Sequence, residues 1–143
     1  MTTFDDVYEV FQTITWGIDE YNLPQTIDGQ KQLIFEGVRR YNKRLNLEEE
    51  DAITCDNTLE EFSVEMSEQE ISLLAHCMKW AGLDNMVMEL ASMLSMSSKD
   101  TALKDYKAMI TTRQLMVENE KKEIYNIAML LNDCDDLLEG AEG

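Results

Sequence analysis

The longest stretch without a helix-breaking residue limits the fold more than any other feature of the chain. Residues 83–139 contain neither glycine nor proline, and the whole 143-residue chain contains a single proline. Glycine and proline are the residues that most strongly interrupt helices, so the second half of the chain is expected to be helical. Its apolar spacing predicts a helix around Asp84 to Met96 and a long helix beginning near Asp100, with Ser97 and Asp100 as a capping box.

Helical periodicity also covers most of the first half. Apolar residues recur every three or four positions from Phe4 to Ile14, after Thr2 and Thr3, which can cap that helix. The residues from Gln30 to Asn46 fit a second helix with an apolar face and a basic face. The intervening residues 15–29 break the periodicity and are read as a loop containing Trp16 and Tyr21.

A short segment before the third helix has a different period. Phe62, Val64 and Met66 alternate with polar residues, which predicts one short extended strand. The backbone groups at both strand edges must bond to another strand, a loop or a neighbouring chain. A helix from Glu68 to Ala81 follows, with Ser67 and Glu70 as its capping box and Gly82 at its end.

These elements predict a mainly α fold. At 143 residues the chain should form one domain that buries roughly 70% of its unfolded surface. We expect a small helical bundle of about four to five helices, with one short extended segment and a long C-terminal helix. The bundle would occupy residues 1–132, and residues 133–143 would form an acidic C-terminal tail.

The charge is large and unevenly distributed. The formal net charge is −17, which opposes nucleic-acid binding as the main function. Residues 45–78 hold ten acids and no Lys or Arg, while Arg39, Arg40, Lys43 and Arg44 share one helix face. Solvated helix faces explain such a pattern, and so does contact between the basic face of one copy and an acidic face of its neighbour or of its own chain.

Catalytic and metal-binding chemistry finds no support in the sequence. His76 is the single histidine, and its neighbour Cys77 points about 100° away from it on a helix. Cys55, Cys77 and Cys134 form neither a CxxC pair nor an even set. We therefore expect no enzyme, cofactor or metal site. The acidic N-terminus and the absence of a long apolar run predict a soluble intracellular protein without membrane contact.

The long helix carries two charges on its apolar stripe, Arg113 and Glu120. Two charges on such a stripe are costly if each is buried alone. Either they pair with each other or with a partner, or the helix protrudes past the core and is completed by another molecule.

The middle of the chain resembles the head-to-tail connector (adaptor) proteins of long-tailed bacteriophages. The resemblance follows a strand end, an Ile-x-x-Leu-Ala-x-x-Met helix and a cap that opens a long helix. The matching residues are Met66, Ser67, Glu68, Glu70, Ile71, Leu74, Ala75, Met78, Leu90, Ser97, Ser98, Lys99 and Asp100. The chain departs from the pattern where Gly82 and Asn85 stand at the places of a family tryptophan and proline.

The resemblance implies a structural virion protein. Such proteins form a ring, in the family a dodecamer, that docks on the portal, extends the DNA channel and offers an attachment surface to a stopper or tail-completion protein. DNA would pass through without specific binding. The protein would lie in the virion neck, and in the host cytoplasm during assembly. The basic face and the strand residues Phe62, Val64 and Met66 could supply contacts between subunits, and Leu137 and Leu138 could anchor the tail on the portal.

Two other functions fit the same composition. An acidic helical protein can inhibit a host nucleic-acid enzyme by mimicking DNA. An assembly chaperone would act on the phage particle and leave before it matures. Mass in solution, portal binding and the composition of finished particles distinguish the three functions.

Overall fold

The computed structural model describes the backbone of residues 1–16, 24, 26–49, 51–96 and 100–142. It describes their side chains as well, except those of residues 95, 96, 100–103 and 132–142. Helices dominate this part of the chain, as predicted. The elements in order are α1 (Phe4–Ile14), α2 (Ile27–Arg44), β1 (Cys55–Asp56), β2 (Glu61–Phe62), α3 (Glu68–Met96) and α4 (Asp100–Glu142).

Helix α1 has the predicted bounds. The Thr3 hydroxyl accepts a hydrogen bond from the Asp6 N–H, and the Asp6 carboxylate accepts one from the Thr3 N–H. The hydrogen bonds from Thr3 hold the pKa of Asp6 below its ordinary value. Helix α2 begins three residues before its predicted start, because Thr26 caps it by accepting from the Gly29 N–H.

The predicted strand is wrong in its extent, since β2 covers only Glu61–Phe62, and of the partners left open by the sequence it bonds to another strand. β2 pairs with β1 in an antiparallel hairpin, with Cys55 opposite Phe62 and Asp56 opposite Glu61. Its other edge forms a bridge to Thr3 at the chain's beginning. Val64 lies beyond β2 in a bend. The hairpin and the N-terminal residues thus satisfy the backbone groups that the sequence analysis left open.

The predicted helix end at Gly82 is also wrong, since α3 continues to Met96. A glycine inside a helix costs about 1 kcal/mol. Continuing the helix buries Leu83 and Met86, and each such side chain contributes about 1.5–3 kcal/mol. Burial on both sides of Gly82 therefore outweighs the glycine's preference for a helix end.

Helix α3 lies at the centre and packs against the other three helices. The main core combines α1, α2, the hairpin, the first half of α3 and the second half of α4. Its largest fully buried side chains are Val7, Phe11, Tyr41, Phe62, Leu73, Leu74, Cys77, Met78 and Ile124. Within the described residues, none of the helices is both long and apolar enough to span a membrane.

Helices α3 and α4 are antiparallel neighbours. Glu120 contacts His76 and Lys79, while Val117 packs with Leu83 and Met86 in a second, smaller core. Beyond this cluster, none of the described side chains at 87–94 and 104–116 is buried. These parts of α3 and α4 form a two-helix arm that extends past the bundle.

Candidate functional site

The basic face of α2 divides into one internal and three exposed cations. Arg40 turns towards α3, where its Nη1 lies 2.7 Å from Oδ2 of Asp84. Arg39, Lys43 and Arg44 are exposed. Within the described part of the chain, none of these three cations forms a salt bridge. An intrachain acidic partner therefore exists for Arg40, and the other three remain available.

Two aromatic rings lie beside these cations. The Arg40 guanidinium carbon is 4.3 Å from the Trp80 ring centre, and Lys121 Nζ is 5.6 Å from the same centre. The Arg44 guanidinium carbon is 5.1 Å from the ring centre of Tyr125, which is 51% exposed. Cation–π contacts of this kind hold guanidinium groups in fixed orientations.

The cations and Trp80 line an open cleft with a volume of about 670 Å³. The residues described along its wall are Arg39, Arg40, Lys43, Arg44, Asn46 and Trp80. Because Trp80 belongs to α3 and Tyr125 and Lys121 to α4, tertiary packing brings them to the basic face. No local spacing connects these three residues with α2, so the sequence alone could not place them at the basic face.

Two N–H groups at this cleft lack an acceptor. Arg40 Nε and Trp80 Nε1 are buried and have no hydrogen-bond partner among the described residues. An unsatisfied buried donor costs about 1–3 kcal/mol. The exposed cations along the wall, rather than these buried groups, are accessible to a ligand, and they favour one rich in carboxylate or phosphate oxygens.

A second polar cluster lies where α3 packs on α4. Glu120 is only 4% exposed, and its carboxylate accepts hydrogen bonds from His76 Nδ1 and from Lys79 Nζ, the latter at 3.0 Å. Burial favours the neutral acid, but the hydrogen bonds and charges of His76 and Lys79 outweigh it and hold the pKa of Glu120 below its ordinary value. Glu120 is thus ionised and paired inside the chain.

Arg113, the other charge on the stripe, has a different environment. It is half-buried at the arm, and its Nη1 lies 3.4 Å from Sδ of Met116. Of the two alternatives left by the sequence, pairing with a partner holds for Glu120, and that partner is α3 of the same chain.

The remaining predicted contact residues are scattered. Phe62 and Met66 are buried in the chain's own core, whereas Val64 is 41% exposed. Leu137 and Leu138 belong to the last turns of α4, where the structure describes the backbone only. The fold leaves only Val64 of the three strand residues accessible to a neighbour. The contacts with other copies and with the portal stay predictions.

Two of the three cysteines lie in described surroundings. Burial raises the pKa of Cys77 to about 12 and that of Cys55 to about 11. Both thiols are therefore protonated at neutral pH, and a protonated thiol is a poor nucleophile.

Fold and site together define a small, acidic, mainly helical protein with a cationic cleft. The chain belongs to the YomZ prophage protein family, whose model matches residues 1–133. A relative from Bacillus subtilis (strain 168), described as SPbeta prophage-derived uncharacterized protein YomZ, is 24% identical over 138 residues, which cover 96% of this chain and all of the relative. No solved structure matches the chain. The chain is therefore a phage-derived protein.

Proposed function

We propose that the chain is a structural, non-catalytic phage protein that assembles with copies of itself into the head-to-tail adaptor ring. The ring would dock on the portal, prolong the DNA channel and receive the stopper or tail-completion protein. It would lie in the virion neck after assembly in the host cytoplasm.

One observation carries this proposal: three exposed cations without a carboxylate partner in the described residues share a cleft on a chain of net charge −17. A closed ring needs two different complementary patches on each copy. The cleft can serve as one patch, and the acidic surface that dominates the molecule can provide the other. An acidic channel wall would let DNA slide through without adhering.

Two further features support a structural role in a phage particle. The family consists of prophage proteins, and the motifs from Met66 to Asp100 resemble those of head-to-tail adaptors. The two-helix arm adds exposed Met88, Met93, Met109 and Leu115, and flexible methionines suit an adaptable contact surface with another virion protein.

The test is the mass of the purified protein in solution, measured alone and with the portal protein of the same phage. We expect a ring-sized assembly alone or a stoichiometric complex on the portal. We also expect the chain to be present in finished particles, whereas an assembly chaperone would be absent from them. A protein that stays monomeric and ignores portal would contradict the adaptor role, and displacement of DNA from a host enzyme would then favour mimicry.

A further inference from the structure

The cleft discriminates between two kinds of anionic ligand. Single-stranded nucleic acid binds to cationic grooves by stacking its bases on free aromatic faces. Here Arg40 and Lys121 lie over the Trp80 ring and Arg44 lies over the Tyr125 ring. A guanidinium fixed on a ring instead presents its N–H groups at its edge, which suits paired hydrogen bonds to a carboxylate. The cleft therefore favours an acidic peptide over a nucleic acid.

The chain itself contains an acidic segment at the end of α4. Glu120 lies opposite His76 and Lys79, so the first residue of α3, Glu68, lies opposite residues 128–131 of the antiparallel α4. Helix α4 continues to Glu142, about 16–21 Å past that level at 1.5 Å per residue. Residues 132–143 contain five acids, no base, and the apolar pair Leu137 and Leu138.

This segment cannot enter the cleft of its own chain. Tyr125 of α4 lies at the cleft, and residues 133–142 follow it on the same continuous helix. A helix rises 1.5 Å per residue, so these acids lie about 12–25 Å further along the axis, away from the cleft. Only a second copy can bring its acidic segment to the cations.

The acidic loop after α2 is a weaker alternative as the occupant. The side chain of Asn42 donates to the Ile53 carbonyl and accepts from the Ile53 N–H, and the β1–β2 hairpin follows directly. These bonds hold the loop against the bundle, whereas α4 continues as a helix to Glu142. The end of α4 has the better geometry for reaching a neighbouring molecule.

We propose that the cationic cleft binds residues 132–142 of a neighbouring copy. The carboxylates of this segment meet the exposed cations Arg39, Lys43 and Arg44. This inference rests on the proposed self-assembly and identifies the contact between copies. The end of α4 then binds a neighbouring subunit rather than the portal. Each copy then contacts one neighbour through its cleft and another through the end of its α4. Such a head-to-tail arrangement generates rings when it closes.

Reversing the charges of the cleft and of the end of α4, separately and together, tests the contact. The cleft variant carries Arg39→Glu, Lys43→Glu and Arg44→Glu, and retains Arg40, which is bonded to Asp84. The tail variant carries Asp133→Lys, Asp135→Lys, Asp136→Lys and Glu139→Lys. Each alone should raise the concentration needed for half-assembly at least roughly tenfold, because like charges then face each other. Both sets combined in one chain should restore assembly to within a few-fold of wild type.

A matched control makes the same charge change elsewhere. Lys104→Glu, Lys107→Glu and Lys122→Glu alter three exposed lysines of α4 and should leave assembly unchanged. The inference is overturned if the tail variant assembles like wild type, or if the combined chain fails to recover. A tail variant that forms normal rings but loses portal binding would assign the segment to the portal.

A peptide experiment separates this inference from the proposed function. A fluorescent peptide of residues 132–143 is titrated against the full-length tail variant, whose cleft is vacant, and against the cleft variant. We expect binding to the first and at least roughly tenfold weaker binding to the second. If wild type does not assemble but the peptide binds in this way, the ring is wrong and the contact stands. If wild type assembles and neither protein binds the peptide, or an unlabelled single-stranded oligonucleotide binds the cleft instead, the contact is wrong.

Discussion

At the scale of single residues, Glu120 shows how tertiary packing decides the meaning of a charge in an apolar stripe. The sequence placed Arg113 and Glu120 in equivalent positions two turns apart on α4. The structure buries Glu120 between His76 and Lys79 and leaves Arg113 half-buried at the arm. The partners of Glu120 lie more than 40 positions away in the chain, so no local pattern could have distinguished the two charges.

Replacing Glu120 by glutamine tests this buried pairing. Glutamine keeps the shape but removes the negative charge, leaving His76 and Lys79 without their counter-charge. We expect the free energy of unfolding to fall by about 1–3 kcal/mol at pH 7. Urea titration at one fixed protein concentration measures the change. Glu118→Gln, which removes an exposed contact to Lys121, is the matched control and should change stability by less than about 0.5 kcal/mol.

The comparison of wild type with Glu120→Gln also predicts how the difference in unfolding free energy changes with pH. The pKa of Glu120 in the folded protein lies below the ordinary value of 4.5. The carboxylate therefore stabilises the fold fully above pH 4.5, and this contribution is lost as the pH falls through the lowered folded pKa. The difference in unfolding free energy between wild type and Glu120→Gln should shrink on acidification below 4.5. A difference that stays constant or grows would contradict the ionised pairing.

At the scale of helices and strands, caps and apolar spacing predicted the features that depend on residues close together in the sequence. Helix α1 has its predicted ends because its cap and its apolar stripe lie within eleven residues. The pairing of β2 with β1 and Thr3 involves backbone segments separated in sequence, so alternation alone could not reveal it. The helix end expected at Gly82 is absent because burial of Leu83 and Met86 against α4 outweighs the local preference of glycine for a helix end.

Gly37 of α2 and Gly82 of α3 predict opposite mutational effects. A Cβ at Gly37 would clash with the Met78 side chain and lie 3.2 Å from its backbone N, where α2 approaches α3. A Cβ at Gly82 would meet only Leu33 Cδ1, at an ordinary 3.9 Å. We expect Gly37→Ala to lower the free energy of unfolding by about 1–3 kcal/mol, and Gly82→Ala to raise it by about 0.5–1 kcal/mol.

Urea midpoints at equal protein concentration compare these two variants. Unchanged slopes of the unfolding transitions would show that stability itself has changed. A stabilised Gly37→Ala protein would contradict the close approach of α2 to α3. A strongly destabilised Gly82→Ala protein would contradict the uninterrupted path of α3 through this position.

At the scale of the whole molecule, charge segregation predicted an interaction but not its chemistry. The basic residues of α2 were visible in the sequence, whereas Trp80, Tyr125 and Lys121 joined them only through folding. The fold also assigned Arg40 to an internal bond with Asp84 and buried Phe62 and Met66. The groups left for the proposed assembly are the three exposed cations of the cleft and the acidic end of α4.

A head-to-tail contact makes a quantitative prediction about mixtures of defective copies. The cleft variant keeps an intact tail, and the tail variant keeps an intact cleft. Each should be monomeric alone. Mixed together, the acidic tail of the first fits the basic cleft of the second, and the lysine tail of the second fits the acidic cleft of the first, so the two variants can alternate around a ring.

Native mass spectrometry of this equimolar mixture tests the central claim most directly. We predict mixed rings that contain equal numbers of the two variants, while each variant alone stays monomeric under conditions in which wild type forms rings. Two variants that remain separate monomers when mixed, or that form rings on their own, would contradict assembly through the cleft and the end of α4.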